Sequence, residues 1–209
     1  MTKTRPGLPN HAISSMAYGN LALGGPPQWG EEARQFGREI QKNLGLEPMA
    51  DPIHPAMAKL VTPEEDEARM RAILPPWQKN YTSDDYTDYT WHCPTARLYV
   101  GRPMLAPPRP DYQYPNWVWN ALGGYPPAID PTIIAAARAI AGSIIDLLSD
   151  PSGLAAAQDE FRQRTGGGIG GKNWVGPLLP KDFPAPIHYR WPEYVTTPRG
   201  EEWWIPEGA

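Results

Sequence analysis

Apolar residues recur at helical spacing in several stretches, and glycine or proline closes most of them. Ile13, Met16, Ala17 and Leu21 fall on one face of a first predicted helix, which Asn10 caps and Gly24-Gly25 ends. A second helix is predicted from about Gly30 to Leu44, with Ala33, Phe36, Ile40 and Leu44 aligned and Gly45 as its stop. Thr62-Pro63-Glu64-Glu65 combines an N-cap, a proline at the first helical position and a capping-box glutamate. The helix it opens is polar and ends before Pro75-Pro76. The strongest pattern follows Asp130-Pro131: Ile133, Ile134, Ala137, Ile140, Ala141, Ile144, Ile145 and Leu148 make one continuous stripe. A stripe so continuous has to be covered by the chain's own sheet or by a partner. Asp150-Pro151 repeats the cap-plus-proline start for a last helix running to Thr165.

Residues 89–102 gather Tyr, Trp, Thr and Val, which predicts one or two strands. Beyond Gly166 the chain is rich in Gly, Pro and Trp and has no periodicity. These elements predict an α/β fold, a partial mixed sheet with covering helices, followed by a long irregular C-terminal tail. The division expected is 1–182 for the folded part and 183–209 for the Pro/Trp-rich tail.

Composition narrows the setting. Of 209 residues, 41% are hydrophobic, so a core is within reach, while 20 Gly and 27 Pro predict many loops. A net charge of −4 without a basic, aromatic-interleaved stripe gives nucleic acid no electrostatic footing. The apolar run from Ile133 to Leu148 is interrupted by Arg138 and Asp146, so it reads as amphipathic rather than membrane-spanning. The opening MTKTRPGLPN has no apolar stretch or cleavage site of a secretory signal. A single cysteine, Cys93, fits a reducing compartment, so a soluble cytoplasmic protein is expected.

Few motifs point to chemistry. Gly166 to Gly171 satisfies G-x-G-x-x-G, but that fingerprint needs a strand before it and a helix after it. Here a helix precedes it, so a flexible helix exit is the better reading. His11, His54, His92 and His188 show no metal-ligand spacing, and surface or capping roles suit His11 and His54. His92 and Cys93, adjacent in the expected strand, point to opposite faces and cannot share a metal or form a nucleophile pair. Ser83 to Trp91 carries Asp84, Asp85 and Asp88, either a cation or acid site or a hydrogen-bonded turn before a strand. Nine tryptophans, among them Trp117, Trp119, Trp203 and Trp204, suit a pocket, an interface or loop-rich packing equally.

Four segments in order resemble the C-terminal region of the aminobenzoyl-glutamate hydrolase B-subunit type, within the dinuclear zinc peptidase and amidohydrolase clan. They are LPNHAISSMAYGNLALGGPPQWGEEARQFGREIQKNLG (8–45), SDDYTDYTWHCPT (83–95), IIAAARAIAGSIIDLLSDPSGLAAAQDEFRQRTGG (133–167) and Trp174 to Lys181. In the second, Ser83, Asp85, Asp88, Trp91, Pro94 and Thr95 match the family's Ser-Thr-Asp-Val-Gly-Asp-Val-Ser-Trp run ending in Pro-Thr.

The resemblance implies the C-terminal half of a zinc-peptidase-like catalytic domain that hydrolyses amides. Zinc or another divalent metal belongs to the complete assembly, and none to this chain alone. In the clan most ligands and the general base come from the N-terminal half, which these 209 residues lack. The family's last metal ligand is a histidine before Trp-x-Trp. Here Trp117-Val118-Trp119 is preceded by Pro115 at the histidine position and Asn116 beside it. Proline offers no side-chain ligand, and an amide oxygen is a poor one for zinc.

The expected partners are a complementary N-terminal-half chain, or further copies of this one, and a small amide substrate. Asp85, Asp88, Asn116 and Trp117 are the substrate-pocket candidates, and no catalytic residue is assigned. The alternative is a non-catalytic interaction protein derived from the same fold that binds through its Trp-rich surface. A truncated reading frame without an independent role is a third.

Overall fold

The computed structural model describes residues 6–77, 87–177, 182 and 193–204. It divides into two compact units, residues 1–176 and 177–209. Among the described residues the chain is mostly helical, with one small two-stranded sheet.

The first unit carries α1 (His11–Gly24), α2 (Glu31–Asn43), α3 (Pro63–Ile73), α4 (Trp117–Gly124), α5 (Pro126–Ser149) and α6 (Pro151–Thr165). Local signals set most of their ends. Asn10 accepts from the Ile13 amide at the start of α1, and its own amide nitrogen donates to the Ala157 carbonyl of α6 at 2.9 Å. The same side chain thus caps one helix and pins it to another. Thr62 and Glu65 form a reciprocal capping box at α3. Asp150 caps α6 through the Ser152 amide, and Gly166 closes that helix in the left-handed region at φ 69°.

α5 is where the expectation of a start at Asp130-Pro131 fails. The helix begins at Pro126 and holds Pro131 in its interior. Pro126 has the fixed φ of a first helical position, and the Tyr125 carbonyl accepts from Ala128 and Ile129, so the first turn closes upstream. Ala128 and Thr132 are then buried on either side of Pro131, and packing outweighs the one backbone bond that proline removes.

The strand expected over 89–102 does not form either. Residues Thr87–Trp91 make a 3-10 turn, and residues 94–104 run without a ladder partner among the described residues. Strand preference is largely a measure of fit to a half-buried pleated surface. Here Trp91 is instead buried against Leu8 and Phe161, and its indole donates to the Pro6 carbonyl at 2.9 Å. His92 and Cys93 therefore do not alternate across a strand. The His92 ring meets Trp174 edge-on with centroids 5.9 Å apart, while the Cys93 sulfur lies 3.6 Å from the Tyr89 carbonyl and from Thr95 Oγ1.

Chain reversal instead brings 52–54 beside 104–106. The two runs meet in an antiparallel bridge of Ile53 with Leu105, flanked by His54 N–H to Met104 O (2.8 Å) and Ala106 N–H to Pro52 O (2.7 Å). Leu105 and Ile53 join Ile40 of α2, Val118 and Leu122 of α4 and Ala128 of α5 in the main core. At Gly37 of α2 a β-carbon would sit 2.9 Å from Leu105, so the helix lies directly on this bridge.

The second unit holds the sheet, an antiparallel pair of β1 (Glu193–Thr197) and β2 (Gly200–Trp204). Tyr194 stands opposite Trp203 and Val195 opposite Glu202, and Gly200 takes the turn at φ 111°. This hairpin, not a mixed sheet, is the sheet of the described residues, and it does not lie among the covering helices' own unit.

Candidate functional site

Two features of the first unit stand out. One is a face of α5, the other a cleft beside α4.

α5 packs on α1, and also touches α2, α4 and α6. The side it turns inward is small and polar. Ala128, Thr132 and Ala139 are buried, and Thr132 Oγ1 donates to the Gly101 carbonyl at 2.7 Å. Asn20 of α1 reaches across to Asp146 at 2.6 Å. The opposite side is the apolar stripe read from the sequence, and it is open. Ile133, Ile134, Ile140, Ile144, Ile145 and Leu148 are all exposed, from 48% at Ile134 to 83% at Leu148. By length and composition α5 could also cross a membrane. The stripe's periodicity survives in the structure, but nothing described covers it.

The cleft has a volume of about 360 Å³. Leu105 and Leu122, both buried, are among its lining, with Tyr112, Tyr114 and Trp119 as rings and Asn116 and His54 as polar groups. The rings are held. Tyr114 donates to the Ala106 carbonyl at 3.0 Å and accepts from Gln41 Nε2 at 2.9 Å. Gln41 is fully buried and accepts from the Met49 amide. Burial pushes the Tyr114 hydroxyl above the ordinary tyrosine value, against the lowering effect of the Gln41 bond. Tyr112 packs edge-on against Tyr114 with centroids 5.0 Å apart. His54 Nδ1 accepts from the Ala56 amide at 3.1 Å, so the neutral ring carries its proton on Nε2.

The substrate-pocket candidates separate. Asn116 lies at the mouth of α4 with no side-chain capping bond, and it lines the cleft. Trp117 is half-exposed on α4 and is not among the lining residues. Asp88 sits in the 3-10 turn with Trp91, beside the smaller cluster of Leu8 and Phe161. Asp85 lies outside the described residues, as does His188. Tyr112, Tyr114, Asn116 and Trp119 belong to one short segment, 112–119, and the pairing of 52–54 with 104–106 brings His54 beside it, a long-range event with no local sequence signal.

Other groups take structural roles. Glu160 of α6 accepts from the Ala12 amide at 2.9 Å and from Arg164 at 2.8 Å, while His11 stands 3.4 Å from Glu67 and 3.9 Å from Glu160. The glycine-rich exit uses its own amides. Gly167 donates to the Arg162 carbonyl, Gly168 to Thr165 Oγ1, and Gly171 to the Gly168 carbonyl. Those amides are not turned to a phosphate, which fits a helix exit.

No three His, Cys, Asp or Glu side chains among the described residues are arranged to hold a metal ion. Pro115 gives its carbonyl to the Val118 amide in the first turn of α4. The described residues therefore do not, by themselves, form a ligand set for the divalent ion that the resemblance implies. No protein-family description, curated protein or solved structure matches the chain.

Proposed function

We propose that this chain is one part of a metal-dependent amidohydrolase, with the metal ligands and general base supplied by another chain. The observation that carries the reading is the outward stripe of α5. Six large aliphatic side chains on one face of a long helix are exposed, while the face of small residues is packed. In a layered α/β domain such a face lies on a sheet. The chain's own described sheet is a two-stranded hairpin in the other unit. The resemblance of 8–45, 83–95 and 133–167 names the kind of sheet expected, the N-terminal half of a zinc-peptidase-like domain. In this reading the chain contributes covering helices and one wall of a pocket for a small amide, with Asn116 at its rim, and the assembly is cytoplasmic. No metal-dependent step is assigned to its residues.

A second reading is a non-catalytic interaction protein of the same origin. It is favoured by Trp117 and Trp119, both nearly half-exposed on α4.

Isolating the native assembly and measuring its mass, chain identities, metal content and amide hydrolysis separates the two. A second chain bearing a His and carboxylate ligand set, with stoichiometric divalent metal and turnover, supports the enzyme. An assembly without metal or turnover supports the interaction protein.

A further inference from the structure

We infer that the open face of α5 packs against the same face of a second copy of this chain, with the two helices antiparallel. Apart from Arg138 and Ile140, the exposed positions from Ile133 to Ile145 read the same in both directions about Ala139. Ile133 matches Ile145, Ile134 matches Ile144, and Ala137 matches Ala141. A two-fold contact between identical chains needs such a surface, because residue i meets j while j meets i.

Spacing turns this symmetry into a seam. Ile134, Ala137, Ala141, Ile144 and Leu148 follow one another at intervals of three, four, three and four residues, the a and d positions of a coiled coil. With the helices antiparallel about Ala139, Ile134 lies opposite Ile144 of the second copy, and Ala137 opposite its Ala141. Two large layers then enclose two small ones, and the dipoles of the two helices oppose. By helical spacing Arg138 stands at the flank of the seam, where its stem lies along the other helix and its charge stays in water.

The area suffices. Ile133, Ile134, Ile140, Ile144, Ile145 and Leu148 are each about half exposed or more. With about 100 Å² open on each side chain, two copies offer roughly 1,200 Å², the lower end of specific interfaces.

A bilayer suits the face less well. The opposite side of α5 is tied to α1 through Asn20 and Asp146, and Arg138 is exposed near the middle of the helix. Crossing a membrane would strip the contact with α1 and place the arginine in hydrocarbon.

The pairing goes beyond the proposed function, since it describes the chain by itself. The sheet of a complementary chain, which that reading lays on the same face, has to displace the second copy.

Thiol linkage of the purified full chain tests the pairing. Cys93→Ser removes the single native cysteine, and Ile134→Cys and Ile144→Cys are each placed in that background. The two copies of position 134 sit ten residues apart along antiparallel helices, about 15 Å, well beyond the roughly 7 Å between Cα atoms that a disulfide spans. Mixing the two variants should give at least about tenfold more linked dimer than either variant alone. In sedimentation the unmodified chain should show the mass of two copies, and Ala137→Glu/Ala141→Glu the mass of one with its helical signal kept. Mixing that variant with Ala137→Lys/Ala141→Lys should restore the dimer. Both positions lie on the exposed side of α5, so melts below the association range should match those of the unmodified chain. A pure chain that sediments as a monomer, a dimer indifferent to the charges at 137 and 141, linkage in Ile134→Cys alone, or capture of the chain by phosphatidylcholine vesicles overturns the pairing. None of these outcomes decides the proposed function, which rests on the chain identities and metal content of the native assembly.

Discussion

Asn20 on α1 donates its side-chain amide to Asp146 on α5 at 2.6 Å, and this contact fixes which face of α5 turns inward. Gly142 lies one turn before Asp146 on the same face, where a β-carbon would collide with the Asn20 side chain. The two helices approach closely only because position 142 has no side chain. With that face committed to α1, the isoleucine stripe has to point away.

Gly142→Leu should therefore separate α1 from α5. A loss of about 1–3 kcal/mol is expected for forcing side-chain volume into a packed contact. Ala141→Leu, on the open face, should change stability by less than about 0.5 kcal/mol. Denaturant melts of the two variants check the contrast.

The Glu160 carboxylate ties the start of α1 to α6. Burial pushes its pKa up, but the His11 and Ala12 amides and Arg164 outweigh that and hold it below the ordinary value of 4.5. A depressed folded-state pKa means stability that is present above about 4.5 and lost as pH falls through the lower folded value. Glu160→Gln should cost about 1 kcal/mol near neutral pH. The gap in melting temperature between wild type and variant should close as the pH is lowered past the carboxylate range. A gap that stays constant across that range would remove the charge from the explanation.

Tyr114→Phe removes one hydroxyl that serves two partners. Gln41 Nε2, on a fully buried side chain, and the Ala106 carbonyl would each lose a bond. The expected cost is about 1–3 kcal/mol. Phe36→Leu, at a half-buried ring packed against Tyr125, should cost less, because it leaves no buried polar group unpaired. Thermal melts with the far-ultraviolet signal as readout test the ranking.

In the exit of α6, Gly170 and Gly171 differ in kind. Gly170 sits at φ 80° with open space around a would-be β-carbon, so Gly170→Ala meets only backbone strain of about 1–2 kcal/mol. At Gly171 the same carbon would fall 2.5 Å from the Thr165 carbonyl oxygen and 2.8 Å from backbone atoms of Gly166 and Gly167. Gly171→Ala should be the more damaging by at least about 1 kcal/mol. Hydrogen exchange at the end of α6 reads this out locally.

Much of the helical framework was legible because its signals are local. Asn10, the Thr62 box, the Asp150-Pro151 start and the Gly166 exit each act within four residues of the end they set. Reading Pro131 as a helix start went wrong for the opposite reason: Ala128 and Thr132 are held by contacts from far along the chain, including the Trp29 indole on the Ala128 carbonyl. The expected strand gave way to the burial of Trp91 against Leu8 and Phe161, residues 83 and 70 positions away in sequence. Of the pocket candidates, Asn116 lines a cleft; of the rings around it, Trp119 is among the tryptophans suited to a pocket, while Tyr112 and Tyr114 carry no signal of their own. His54 reaches the 112–119 segment through the pairing of 52–54 with 104–106, which no periodicity within either run announces.

The open face of α5 is the centre of the account, and the mass of the assembly in solution tests it most directly. Sedimentation velocity of the full chain at micromolar concentration should show an oligomer or a complex with a complementary chain, burying more than roughly 1,000 Å². The double variant Ile140→Glu/Ile144→Glu should sediment as a monomer while retaining its helical signal. A wild-type chain that is a compact monomer and unfolds cooperatively, with the same mass as the variant, would contradict the claim that this face is covered in the working protein.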